Sequence, residues 1–267
     1  MINLKEILEH FVEEGYSDKN AEARVCQDII LMAIANSSLS HNVTIKGGVV
    51  MSSLTRNRRR ATQDMDIDFI RYSIADESID RFIGEINCVN GISIVRFGDI
   101  EELSQQEYNG KRVFVKISDD FGGFIESKID LGVHKQLGIE QQEYCFDIAF
   151  DDEGASLLIN SCEQMFTEKL RSLLKFGTLS TRYKDIYDMY YHCDKLNSKK
   201  LKKCLDAYIY GDLGMREDDI EDVIRRVKFV FGNNTFRSRV DKSDKRWLDE
   251  DIDMIFKRII DYLEKQR

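Results

Sequence analysis

The 267-residue sequence contains no proline, where an average composition would hold about 5%. Its helices are therefore uninterrupted by proline, an absence that says nothing about chemistry. Paired cysteines are also missing. Cys26, Cys88, Cys145, Cys162, Cys193 and Cys204 form no CxxC, and the closest two are Cys193 and Cys204. That scatter excludes a zinc knuckle and a disulfide framework, and suits reduced, mostly buried thiols. The four histidines are far apart and make no HExxH pattern, so any metal must be a hard ion held by oxygen. No apolar run reaches the length of a membrane span, and the N-terminus (MINLKEILEHFVEEGY) lacks the basic-then-apolar build of a signal peptide. The expected compartment is the cytoplasm, with no membrane partner. Positive charge is in deficit, with a formal net charge of −9, which excludes coating nucleic acid by bulk electrostatics. It leaves room for a local basic track, and Arg56, Arg58, Arg59 and Arg60 supply one.

What is present is enough apolar sequence, 42%, for one large domain or two smaller ones. Residues 3–35 carry apolar positions at helical spacing and read as two helices parted near Gly15–Asp18, with Ser17 or Asp18 as N-cap. A β-prone run, NVTIK, then meets Gly47-Gly48, followed by a short helix in VVMSSLT. Strands are expected at 64–71, 92–97, 112–118, 124–131 and 144–150, with a helix over 76–88. From residue 155 the pattern is helical: 156–176, 181–194, 198–210, 216–231 and 247–265. The expected class is α/β (α+β), with an α/β half over 1–154 and a helical half over 155–267.

The stretch QDMDIDF places Asp64, Asp66 and Asp68 at every second position. In an extended chain these side chains share a face about 6–7 Å apart, while Met65, Ile67 and Phe69 face a core. Alternation alone describes an ordinary strand with a solvated face. Asp is depleted in strands, however, and neighbouring like charges repel, so three in a row read as a ligand set for a cation. Gly47-Gly48, after a strand and opening a helix, is the arrangement in which bare backbone N–H groups hold phosphate oxygens, although most such pairs are simply turns. Asp130, in SKIDLGV, has Ile129 and Leu131 on its buried side. Alone it reads as an exposed strand residue; beside the other two features it is the natural third carboxylate.

A Gly-Gly turn, an Asp-x-Asp strand and a later strand Asp resemble the nucleotidyltransferase superfamily of the DNA polymerase β type. The longer wording GGVVMSSL…RRATQDMDIDF resembles the AbiEii/AbiGii toxin branch, with its GG…R-x-[ST]-x-D-x-D pattern. The stretch EQMFTEKLRSLLKFGTLSTRYKDIYDMYYH resembles that branch's second signature, a helical Lys followed by R-x-KD-x-YD. Together the resemblance spans roughly residues 43–192. It implies a nucleotidyltransferase-like mixed sheet flanked by helices, followed by a helical domain completing the cleft. It makes Asp64 and Asp66 the preferred metal pair, although Asp66-Ile67-Asp68 also reads as D-x-D and leaves Asp68 open as a ligand. Val49 stands where the family often has Thr.

On a helix, Lys169 lies among Met165, Phe166, Leu170 and Leu173. It is either a snorkelling lysine at the edge of an apolar stripe or, as the resemblance implies, a cation for the nucleotide's phosphates. Lys184 and Asp188 could form a plain surface pair. The resemblance instead assigns Arg182, Lys184 and Asp185 to nucleotide binding and Asp188 to catalysis. The function so implied is Mg²⁺- or Mn²⁺-dependent transfer of a nucleoside monophosphate from a nucleoside triphosphate. The catalytic set is Asp64, Asp66, Asp130, Lys169 and Asp188, with Gly47 and Gly48 holding phosphates. The acceptor implied is RNA, at a tRNA 3′ end, in a toxin–antitoxin or abortive-infection setting with a cognate antitoxin. Two alternatives stay open: transfer to a small molecule, as in aminoglycoside-modifying enzymes, and a non-catalytic interaction protein on the same scaffold.

Overall fold

Burial along the strands follows the two-residue period of the sequence. In the computed structural model, which describes residues 1–103 and 110–267, the chain divides into two compact units, Met1–Asn160 and Ser161–Arg267. The first unit runs α1 (Leu4–Glu13), α2 (Asp18–Asn36), β1 (Val43–Lys46), α3 (Gly47–Thr55), β2 (Met65–Phe69), α4 (Asp76–Ile86), β3 (Ile92–Leu103), β4 (Gly110–Asp119), β5 (Phe124–Val133), β6 (Gln142–Ile148) and β7 (Asp151–Ile159). Among the described residues the strands form one sheet in the order β3-β4-β5-β2-β1-β7-β6. The pairs β2–β5 and β1–β7 are parallel and the other four antiparallel. This is the mixed α/β class expected from the sequence.

One face of the sheet carries the core. Met65, Ile67, Phe69, Val113, Val115, Ile117, Ile129 and Leu131 are buried there, against α2 and α4. Helix α2 is apolar almost all round and buried from Val25 to Ile34, as a helix inside a core must be. Helix α4 is amphipathic and turns Ile79, Phe82, Ile83 and Ile86 inward. Phe82 meets Phe69 edge-on at 5.1 Å. Ser17 stands at the N-cap of α2, and Asn3 caps α1 by accepting from the N–H groups of Lys5 and Glu6.

The second unit is helical: α5 (Cys162–Phe176), α6 (Tyr183–His192), α7 (Ser198–Leu205), α8 (Ile220–Phe231), α9 (Asn234–Asp241) and α10 (Ile252–Glu264). Its core stacks Phe231 on Phe256, ring centres 4.0 Å apart, and buries Trp247, the single tryptophan. Three element expectations change. Residues 151–159 are strand β7 rather than the start of a helix at 156. Their alternation (Ala155, Leu157 and Ile159 inward) merges into the apolar positions of α5 and hides the switch of period. Helices expected from 216 and 247 begin at Ile220 and Ile252, where Asp219 and Asp251 cap them. Helix α9, with only Phe236 and Val240 buried, is too short for its period to stand out.

Candidate active site

The face of the sheet opposite α2 and α4 gathers the acidic residues. Parallel pairing sets Asp66 of β2 against Asp130 of β5, antiparallel pairing sets Lys46 of β1 against Asp66, and Arg112 of β4 lies opposite Asp130. One row across four strands therefore reads Lys46, Asp66, Asp130, Arg112, with neighbours about 4.8 Å apart. Asp64 and Asp68 flank Asp66 on the same face. Met65, Ile67, Ile129 and Leu131 point the other way into the core, which fixes the register, because a one-residue slip would turn every carboxylate inward.

Each flanking group is held by a cation. Lys46 Nζ lies 2.6 Å from Asp68 Oδ1, and Lys128 Nζ lies 2.9 Å from Asp64 Oδ1. Arg112 grips Asp130 with both arms, Nε to Oδ1 at 2.7 Å and Nη2 to Oδ2 at 2.9 Å, the strong fork geometry of a guanidinium on a carboxylate. Asp66 sits at the centre. Burial, and then the Asp130, Asp64 and Asp68 charges, push its carboxyl up to about 6 against the pull of Lys46.

The Gly-Gly turn closes on this row. Gly47 has φ +66, a conformation costly for any residue with a Cβ, and a Cβ there would stand 2.4 Å from Asp66 Oδ2. A Cβ on Gly48 would stand 2.5 Å from Thr62 Oγ1, and that hydroxyl also accepts the Asp64 N–H at 3.4 Å. The glycines thus let α3 begin directly against the Asp66 carboxylate. The first turn of α3 has no side-chain cap, so its backbone N–H groups and the positive end of its dipole face the acidic row. Val49 is fully buried, so a hydroxyl in its place would lie in the core.

The donor set fits Mg²⁺ or Mn²⁺ in chemistry, since it offers hard carboxylate oxygens gathered on one face of the sheet. Among the described residues, no three Asp, Glu, His or Cys side chains converge on one point. A two-carboxylate seat suits Mg²⁺, which keeps waters and substrate phosphates in its shell instead of an all-protein cage.

The basic track does not lie beside this row. Arg60 is buried. Arg56 ends α3 in a left-handed conformation and pairs with Asp147 at 2.8 Å. Arg58 packs over Gly15 and lines a cavity of about 640 Å³ with Arg24, Asp28 and Arg56. Arg59 is exposed. These residues follow the C-terminal end of α3, whereas the acidic row meets its N-terminal end, about 13 Å away for nine residues.

In the second unit, Lys169 is a half-buried cation between two carboxylates, with Nζ 2.9 Å from Asp188 Oδ2 and 3.3 Å from Asp185 Oδ1. Asp188 is fully buried and accepts the Trp247 Nε1–H at 3.1 Å. Lys169 is therefore not a snorkelling side chain, and Asp188 does not lie on the helix surface. Lys184 is half-buried and Arg182 exposed.

Residues 29–261, most of the chain, match the family described as "Nucleotidyl transferase AbiEii toxin, Type IV TA system". The chain belongs to the AbiEii nucleotidyltransferase toxin family. In fold it is similar to MenT4, a nucleotidyltransferase toxin from Mycobacterium tuberculosis H37Rv, at 15% identity and a TM-score of 0.54, over the full length of both chains. A nucleotidyltransferase-like antigenic protein from Paracoccidioides brasiliensis is also similar, at 16% identity and a TM-score of 0.43, over 79% of this chain and 97% of the other. The sequence matches no curated relative. AbiEii membership carries the nucleotidyltransferase and toxin–antitoxin assignments made from the motifs. The cations around the row were missed by sequence reading. Lys46, immediately before the Gly-Gly pair, and Lys128, two residues before Asp130, were legible by parity. Arg112 was not, because nothing in the sequence sets the β4–β5 register.

Proposed function

We propose that the protein transfers a nucleoside monophosphate from a nucleoside triphosphate to an RNA hydroxyl, as a toxin countered by a cognate antitoxin. The observation that carries this reading is the register of Asp66 with Asp130, on one face, against the uncapped start of α3. Asp64 and Asp66 would hold Mg²⁺ or Mn²⁺, which when bound supplies positive charge to the triphosphate and lowers the pKa of the attacking group. The chain's own groups do the rest. The N–H groups of Gly47 and Gly48 receive phosphate oxygens. Asp130 accepts the proton of the acceptor hydroxyl as the bond from that oxygen to the α-phosphorus forms and the bond to pyrophosphate breaks. Arg112 is a positioning residue whose two arms hold Asp130 aimed along the row. Asp68, tied to Lys46 and pressed against Gly132, orders the strand and is not a ligand. Little covalent work falls to the protein beyond alignment and charge neutralisation.

For Lys169, Arg182, Lys184, Asp185 and Asp188 the nucleotide-binding and catalytic roles follow the family wording, supported by the Lys169–Asp188 pair. The test is to incubate the purified protein with Mg²⁺, each labelled nucleoside triphosphate and total cellular RNA. Asp66→Ala and Asp64→Ala should each abolish labelling with the fold intact by circular dichroism. Full activity in either variant refutes the metal assignment. Label entering only small molecules moves the reading to that acceptor class, and no transfer at all promotes the non-catalytic one.

A further inference from the structure

The open face of the sheet continues past the carboxylates toward the β3 edge, and its composition changes there. By the same pairing that aligns Arg112 with Asp130, Phe114 lies opposite Lys128 and Lys116 opposite Glu126. On the other side of β4, Phe97 lies opposite Phe114 and Val95 opposite Lys116. All of these share the face of Asp130, because Val113, Val115 and Ile129 between them are buried on the other side. Phe97 and Phe114 meet with ring centres 5.9 Å apart. Lys116 Nζ stands 4.1 Å from the centre of the Phe124 ring. Val95, Phe97 and Phe124 are 45%, 37% and 58% exposed. Large apolar side chains gathered on an open sheet face mark a binding surface rather than ordinary exposure.

We infer that this face seats the unpaired nucleotides preceding the acceptor hydroxyl, with bases on Phe97, Phe114 and Phe124 and phosphates along Lys116 and Lys128. The inference rests on the RNA-transfer reading and deepens it. Three arguments select a single strand. Aromatic rings on a sheet face stack splayed bases, which a paired helix keeps hidden. On β4 the ring of Phe114 stands between the cations Arg112 and Lys116, and on β5 Glu126 separates Phe124 from Lys128, so Lys116 and Lys128 are the cations open to phosphates beside the rings. The track is also continuous with the acidic row, since Lys128 belongs to both through its pair with Asp64. An entering strand therefore arrives at Asp130 without leaving the sheet. The basic track of residues 56–60 lies off this face and is not needed.

The test uses the full-length protein without nucleoside triphosphate, so that no transfer occurs. Fluorescence anisotropy is read with a labelled, unstructured single-stranded RNA and with a blunt duplex of the same length. Wild type should prefer the single strand. Phe97→Ala and Phe124→Ala should each weaken it about fivefold or more while leaving the duplex unchanged, and Phe124→Tyr should restore binding. Thermal melting checks that the variants fold, and the tyrosine variant reports even if an alanine variant does not. Binding of both alanine variants within twofold of wild type overturns the proposal. So does equal affinity for duplex, or a wild-type dimer in sedimentation that Phe124→Ala dissolves, which would make the face a contact between copies. The two readings fail separately: wild-type protein that puts no label into RNA removes the RNA-transfer one, whereas normal RNA binding by the phenylalanine variants removes this one alone.

Discussion

At the residue scale, two ion pairs inside the protein, Asp28 with Arg24 and Lys169 with Asp188, show how differently burial can act on a charge. Asp28 on α2 is fully buried. It accepts the Ala149 N–H at 3.0 Å and pairs with Arg24 at 3.2 Å, yet burial outweighs these contacts and raises its carboxyl to about 6. An unfolded Asp titrates near 4, so between about pH 4 and 6 the folded chain holds the extra proton. The Asp28 contribution to stability is therefore full below about pH 4 and is lost as pH rises through 6. Asp28→Asn should flatten that part of the stability profile, as read by urea denaturation across this range; an unchanged slope would put the proton elsewhere. Lys169 is the opposite case, a cation whose burial is matched. Lys169→Met leaves Asp188 charged in the core beside Trp247, and breaking such a pair costs about 3–5 kcal/mol. The expected readout is a lower melting temperature with a shift in the emission of Trp247. A variant as stable as wild type would show that Asp188 takes up a proton instead.

At the scale of elements, α3 joins structure to chemistry. Its first residue needs a left-handed conformation and cannot carry a Cβ beside Asp66. Gly47→Ala should cost about 1–2 kcal/mol for the backbone alone and displace the Asp66 carboxylate. Labelling of RNA should fall sharply while the sheet persists by circular dichroism; retained activity would show that the turn yields without moving the acid. This element was legible in the sequence, because a Gly-Gly pair between a β-prone run and an apolar helix leaves few other readings. So was the β2 strand, whose strict alternation sets carboxylates against Met65, Ile67 and Phe69. Asp130 was read as the third carboxylate from its company with the Gly-Gly turn and the β2 aspartates, since periodicity alone does not say which strands are neighbours. Strand β7 was illegible because its inward residues run on into α5. The Arg112 clamp and the row of phenylalanines depend on pairing between β3, β4 and β5, and pairing partners leave no mark within a strand. The arginines of 56–60 looked like a patch because they adjoin in sequence, yet the 3-10 turn over Arg58–Arg60 buries one and leaves two exposed.

At the scale of the whole molecule, a net charge of −9 leaves the proposed RNA acceptor to be met through a few local cations. With Lys116 and Lys128 as the contacts, the logarithm of the binding constant for a single strand should fall with the logarithm of salt at a slope of roughly −1.4. Titration from low to physiological salt measures it, and a much steeper slope would point to a wider basic surface. The sheet topology has a different outcome for the cell that makes the protein. The acidic row is written in three separated stretches, and β5, which carries Asp130 and half the neighbours of β2, is made long after β1 and β2. A growing polypeptide that has not reached Asp130 lacks both the third carboxylate and the strand that holds the second in place. The row proposed to hold the metal can therefore form only after synthesis has passed β5 and the central strands have paired.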